Sequence, residues 1–141
     1  MPLRYVIDKE RRLVLTTGWD RLTYAQTKSL QDQLLNDPDF DPKFNQLIDL
    51  TALTGLGMST EETKALASRT VFAPSSRRAF VATNPAVFGM CRLYEASHHG
   101  WGEHAEVRVF SDRDAALEWL GVEAIGDPVK SGRERDESKD C

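Results

Sequence analysis

Ser59 has the clearest potential for chemistry in this sequence, because it precedes Glu62 in a Ser-x-x-Glu stretch. This spacing is typical of a capping box, in which the serine hydroxyl accepts a hydrogen bond from a backbone N–H of the first helical turn. The same hydroxyl is a candidate phosphorylation site, since the positive end of a helix dipole favours a phosphate. Glu61 and Glu62 oppose that charge and already complement the dipole, so the sequence favours the cap.

Two glycines, Gly55 and Gly57, come shortly before Ser59, between a predicted strand and the predicted helix. Loops of this kind often hold phosphates. A dinucleotide-binding fingerprint would need a third glycine at position 60, where this chain has Thr60, and a P-loop would need Gly-Lys-Ser/Thr. The sequence therefore favours a flexible turn, and Gly57 and Met58 are kept as candidate contacts for a partner or ligand.

Three polar residues follow successive predicted strands: Asp49, Asn84 and Ser111. Ligands of open α/β sheets bind beyond the carboxyl ends of the strands, so these residues could form a shallow polar site, with Asp49 and Asn84 as binding candidates. The alternative, which the residue types favour, is that Asn84 and Ser111 cap helices and Asp49 ties down a loop.

Three histidines and a glutamate, His98, His99, Glu103 and His104, suggest a zinc site. Their spacing matches no standard zinc motif, and adjacent histidines diverge on a helix. Favourable charge at a helix C-terminus explains them more simply. We therefore predict no metal and no cofactor.

The third predicted helix carries Cys91 on an apolar face beside Phe88 and Tyr94, where a cysteine acts as a small hydrophobic residue. Met90 and Tyr94, together with Leu93 and Trp101, could instead line a groove for an apolar ligand, although core packing is favoured. No spacing indicates a catalytic triad, so we do not expect an enzyme. Arg77 and Arg78 begin a strand and are expected to be solvated.

The elements that must position these residues follow the order β-β-α-β-α-β-α-β-α, which predicts an α/β domain with one mixed sheet. The first two strands should be antiparallel, the later strands parallel, and four helices should cover the sheet. The predicted strands span 3–8, 13–17, 46–50, 77–83 and 106–110. The predicted helices begin after caps at Thr23, Ser59, Asn84 and Ser111, and end near Asn36, Thr70, Gly100 and Gly121.

Length and composition agree with one domain over residues 1–122, followed by a charged tail over 123–141 that we expect to be disordered. The net charge of −4 and the lack of a basic stripe disfavour a nucleic-acid partner. No apolar run is long enough to span a bilayer, and the N-terminus does not resemble a signal peptide. Two cysteines do not suggest a disulfide framework, so a cytoplasmic location is expected.

The order of elements resembles the STAS superfamily, the SpoIIAA-like domains whose founding members are bacterial anti-sigma factor antagonists. More narrowly, it is similar to small bacterial proteins of that fold. The resemblance covers about residues 3–122. It rests on the hairpin, on the stretch DFDPKFNQLIDL at 39–50, on VRVF at 107–110 and on AALEWLG at 115–121.

The resemblance implies a non-enzymatic regulatory module that binds a protein partner, such as a kinase or an anti-sigma-like regulator, through residues 57–64. In signalling members a partner kinase phosphorylates the second serine of an Asp-Ser-Ser-Gly stretch, and an ungapped count from Asp49 places Ser59 there. This chain has Gly-Met-Ser-Thr at 57–60, so one serine of that pattern is present.

The alternative is a binding protein for a small apolar or anionic, lipid-like ligand, held near the third helix or the strand edge. An exposed apolar patch beside the second and third helices would favour the module, and an enclosed pocket there would favour the ligand.

Overall fold

The alternating strand and helix patterns fold into a five-stranded mixed sheet with four helices. The computed structural model describes residues 2–99 and 105–122, and at His98 and His99 the backbone alone. The strands are β1 (Leu3–Asp8), β2 (Leu13–Thr23), β3 (Asn45–Gly57), β4 (Arg77–Val81) and β5 (Glu106–Phe110). The helices are α1 (Tyr24–Leu35), α2 (Thr60–Ala67), α3 (Pro85–His99) and α4 (Arg113–Leu120).

The strands lie side by side in sequence order, β1-β2-β3-β4-β5. β1 is antiparallel to β2, and the pairs β2–β3, β3–β4 and β4–β5 are parallel. The predicted α/β class, element order and strand directions are therefore confirmed.

The two faces of the sheet pack against different helices. On one face Leu47, Ala79 and Val81 form a core with Leu117 and Leu120 of α4. On the other face Ile48 and Phe80 join a core that includes residues of α1, α2 and α3. Alternate residues of a strand point to opposite faces, so the central strands β3 and β4 are buried on both sides.

Capping boxes begin the first two helices, as the sequence predicts. Thr23 Oγ1 accepts from the Gln26 backbone N–H at 3.3 Å, and the Thr23 N–H donates to Gln26 Oε1 at 3.0 Å. Asn84 Oδ1 likewise accepts from the Ala86 N–H at 2.9 Å at the start of α3. These local hydrogen bonds satisfy N–H groups that a helix leaves without partners at its N-terminus.

β2 and β3 extend beyond their predicted ends at residues 17 and 50. After a register shift between Thr17 and Trp19, the parallel ladder continues to the pair Thr23–Gly57. The predicted flexible turn at 54–57 is therefore wrong, because pairing with β2 holds this segment as a strand. A Cβ atom at Gly57 would lie 2.8 Å from Arg21 Nε, so glycine allows the Arg21 side chain to cross here.

Three element ends differ from the predicted ones. β4 ends at Val81 rather than at residue 83, and α2 ends at Ala67 rather than near Thr70. Ser111 was predicted to cap α4, but the cap is Asp112, whose carboxylate accepts from the backbone N–H groups of Asp114 and Ala115. Two carboxylate oxygens one residue later outcompete the serine hydroxyl. Gly121 ends α4 as predicted, with φ of 75°.

Two predictions fall on residues outside the described part of the chain. Glu103 and His104, for which no metal is predicted, lie there, as do the side chains of His98 and His99. The predicted disordered tail at 123–141 also lies there, and both remain predictions.

Adjacent leucines at the end of α1 provide a matched test of the packing. Leu34 is 1% exposed and Leu35 is 46% exposed. We expect Leu34→Ala to lower the free energy of unfolding by about 2–5 kcal/mol, because it leaves a cavity in the core. Leu35→Ala should change it by less than about 0.5 kcal/mol. Urea denaturation measures both, and equal effects would contradict the described orientation of α1.

Candidate functional site

A cavity of about 80 Å³ lies between the sheet and helices α1, α2 and α3. Its walls are mostly apolar, and residues from all three helices and from four strands contribute to them. Apolar lining residues include Leu30, Ile48, Leu50, Leu66, Phe80 and Cys91. A cavity of this size has room for about six water-sized groups.

A row of buried polar side chains crosses the sheet at one end of the cavity. Gln46 Nε2 donates to Thr16 Oγ1 at 2.8 Å, and Gln46 Oε1 accepts from Arg78 Nε at 2.9 Å. Arg78 Nη1 donates to the Tyr94 hydroxyl of α3 at 2.9 Å. All four residues are buried, and all four line the cavity. The row connects β2, β3, β4 and α3 by hydrogen bonds between side chains.

Arg78 is the unusual member of this polar row, because it is a cation that is only 5% exposed. Among the described residues, no carboxylate lies within 4 Å of the Arg78 guanidinium, so it forms no ion pair with them. Three aromatic rings surround the guanidinium instead: its carbon lies 4.8 Å from the Phe72 ring centre, 5.5 Å from that of Tyr94 and 6.0 Å from that of Phe80. Neutral groups thus hold a buried positive charge.

The prediction that both arginines are solvated holds for Arg77 and is wrong for Arg78. Arg77 is exposed, and its guanidinium donates to the Trp119 carbonyl at 2.8 Å. Arg78 lies two residues from Phe80 on β4, so both side chains are on the face covered by α1, α2 and α3. That spacing was the signal available in the sequence.

The cavity wall contains a few partly exposed residues, which show where the cavity can open to solvent. Of its lining residues only Thr27, Leu56, Met58 and Met90 are partly exposed, so any opening lies among them. Gln46 and Leu50 are four residues apart on β3, which corresponds to about 13 Å. The polar row therefore lies at one end of an apolar cavity.

Several residues singled out in the sequence meet in this cavity. Met58, a predicted ligand contact, lines it, as do Met90, Cys91 and Tyr94 of α3. Cys91 is 4% exposed, and burial raises the pKa of its thiol to about 12. The structure thus confirms Cys91 as a buried free cysteine.

Ser59 lies at the exposed start of α2 and is not a lining residue of the cavity. Its hydroxyl accepts from the Glu62 N–H at 3.1 Å, and its own N–H donates to Glu62 Oε1 at 2.9 Å. The predicted capping box is confirmed. Gly57 lies two residues earlier, at the end of β3.

The predicted polar site at the strand edge is divided between two helices. Asp49 accepts from Arg113 of α4 at 2.8 Å and from the Thr51 N–H at 3.0 Å. Asn84 caps α3. Each side chain therefore has a structural partner of its own, and in the described part of the chain no hydrogen bond connects Asp49 with Asn84.

The fold is similar to that of a solved structure, an uncharacterized protein from the DUF3478 family with a SpoIIAA-like fold, from Shewanella loihica PV-4. The match has a TM-score of 0.53 at 21% identity and covers 84% of this chain and 93% of that chain. This chain thus has the SpoIIAA-like fold that the STAS resemblance implies.

No family model and no curated protein matches the sequence. Within the described residues, no helix combines the length and apolar character needed to cross a membrane.

Burial of Cys91 leads to a prediction about its reactivity. A thiol with a pKa of about 12 is ionised in about one molecule in ten thousand at pH 8. The variant Cys141→Ser leaves Cys91 as the remaining cysteine. In this variant we expect a disulfide reagent to react at least about 100-fold more slowly with folded than with urea-unfolded protein, because the thiolate is the nucleophile. Absorbance of the released thiol measures both rates. Equal rates would show that Cys91 is accessible.

Proposed function

We propose that this domain is a non-enzymatic binding protein for a small, largely apolar molecule held in the cavity beneath α1, α2 and α3. The observation that supports this is the cavity itself, because a partly enclosed apolar pocket beside α2 and α3 favours a ligand over a docking patch. The large apolar residues that are strongly exposed, Val6 and Leu35, belong to β1 and α1.

The energetics of packing also support a ligand. Protein interiors contain few voids larger than a water molecule. An empty apolar cavity of about 80 Å³ costs about 2 kcal/mol, at about 24 cal/mol per Å³. A ligand that fills the space recovers part of this cost. Met58 and Met90, two of the partly exposed lining residues, have flexible side chains that can adapt to an entering molecule.

The chemistry of the cavity wall supports binding without catalysis. In the described part of the chain, its lining contains no histidine, lysine, aspartate or glutamate. Arg78 stays protonated, and the raised pKa of Cys91 makes its thiol a poor nucleophile. We place the domain in the cytoplasm as part of this proposal.

A second candidate function is the regulatory protein-interaction module of the STAS resemblance. It is supported by the surface at residues 57–64, where Ser59, Thr60, Glu61 and Lys64 are exposed. A protein partner, such as a kinase or anti-sigma-like regulator, would dock there, and phosphorylation of Ser59 would add charge at its centre.

Two variants at one position test the ligand proposal. Cys91→Leu should fill the cavity, and Cys91→Ala should keep it open, while both remove the thiol. We expect straight-chain alcohols or carboxylates of about four to six carbons to bind wild type and Cys91→Ala. At a free concentration about 100 times Kd, binding raises the free energy of unfolding by about 2.7 kcal/mol.

In Cys91→Leu, added ligand should not raise the free energy of unfolding. NMR shifts of the cavity methyl groups and denaturation with added compound provide the two measurements, and circular dichroism checks that each variant is folded. If no compound of either series binds wild type more tightly than Cys91→Leu, the cavity is not a binding site.

The module is tested by comparing two exposed serines at opposite ends of α2. We expect Ser59→Asp to change the recovery of a specific host protein on immobilised domain, because the negative charge lies within the proposed surface. Ser68→Asp should leave recovery unchanged. Quantitative mass spectrometry of the eluates measures this. The module proposal fails if no protein depends on position 59, or if both variants act alike.

A further inference from the structure

The cavity contains a positive charge whose hydrogen-bonding capacity is only partly used. Arg78 has five N–H donors; Nε serves Gln46 and one Nη1 donor serves Tyr94. Three donors have no hydrogen-bond acceptor among the described residues. Buried polar groups are normally satisfied, and buried cations are normally paired with anions. Phe72, Phe80 and Tyr94 attract the charge through their ring faces, but a ring face is a weak acceptor for N–H groups.

We infer that the ligand carries a carboxylate that pairs with Arg78, and that it is a short-chain aliphatic carboxylate. This rests on the proposed ligand-binding function of the cavity. The planar fork of a guanidinium matches the two oxygens of a carboxylate. Thr16 offers a further donor at the other end of the polar row, since its hydroxyl accepts from Gln46 and donates to no acceptor among the described residues.

The position of Arg78 determines how such a molecule would lie. Arg78 is in register with Gln46, at the polar end of the cavity. From there the walls become apolar, through Ile48 and Leu50 toward the partly exposed Leu56 and Met58. The carboxylate therefore belongs at Arg78, and the alkyl chain runs along the sheet toward the opening. A volume of about 80 Å³ fits about four to six carbons.

The hydrogen bonds that hold Arg78 also prepare it for this role. Gln46 and Tyr94 fix its side chain from two sides, on β3 and α3. A cation held in position by neutral groups loses little side-chain freedom when the anion arrives. Gln46 is itself held by Thr16. The row therefore acts as a preorganised anion site rather than as an ion pair already complete.

The test compares two ligands of matched length, pentanoate and 1-pentanol, on the full chain at pH 7.5. NMR titration gives the two dissociation constants. We expect pentanoate to bind wild type at least 10-fold more tightly than 1-pentanol, because only the ionised carboxylate pairs with Arg78 (about 10-fold corresponds to one good charged hydrogen bond). Arg78→Met should remove this preference. Arg77→Met, at the adjacent and exposed position on the other face, should retain it.

The outcomes separate the two proposals. If both compounds bind wild type equally, the carboxylate inference is overturned while the cavity remains a binding site. If neither binds, the ligand-binding function falls as well. If Arg78→Met does not fold, the wild-type comparison decides, and Arg78→Lys, which keeps the charge without the fork, should bind pentanoate more weakly than wild type but still better than 1-pentanol.

Discussion

The register between β3 and β4 is the constraint on which the rest of the structure depends. It pairs Gln46 with Arg78 and Ile48 with Phe80, so that all four side chains face α1, α2 and α3. Side chains alternate between the faces of a strand, and a slip of one residue would move Arg78 to the face covered by α4. That face is packed by apolar residues such as Ala79, and the slip would separate Arg78 from Gln46 and Tyr94. Correct register therefore protects both cores and assembles the polar row at the same time.

The same strands form two surfaces of different character. Toward α4 the packing is apolar, with Leu13, Leu15 and Leu47 packed on Ala116 and Leu117. The small Ala79 and Ala116 allow that helix to approach the sheet closely. Toward the other three helices, the long side chains of the polar row occupy part of the interface and leave unfilled space beside them. The cavity proposed to bind a ligand lies on this second face.

The sequence predicted those features that depend on residues close together in the chain. Thr23 and Ser59 begin their helices through hydrogen bonds to residues three positions away, so their capping boxes could be predicted without knowing the fold. The extension of β3 through Gly55 and Gly57 could not, because it depends on pairing with β2, which is distant in sequence. The burial of Arg78 was missed for the same reason: its partners, Gln46 and Tyr94, are 32 and 16 residues away. The candidate site is thus less predictable than the fold, since it consists of non-local contacts.

Helix α2 relates the two proposed functions. Thr63 and Leu66 on its inner side line the cavity, while Ser59 and Lys64 are exposed on its outer side. The helix has eight residues, so a molecule in the cavity and a protein on the surface would contact opposite sides of the same two turns. If both bind, a shift of α2 that favours one must change the affinity for the other by the same factor, because coupling between two sites is reciprocal. The two proposed functions therefore do not exclude each other, and a cavity beneath the proposed docking surface gives a physical route by which a small molecule would control a protein contact.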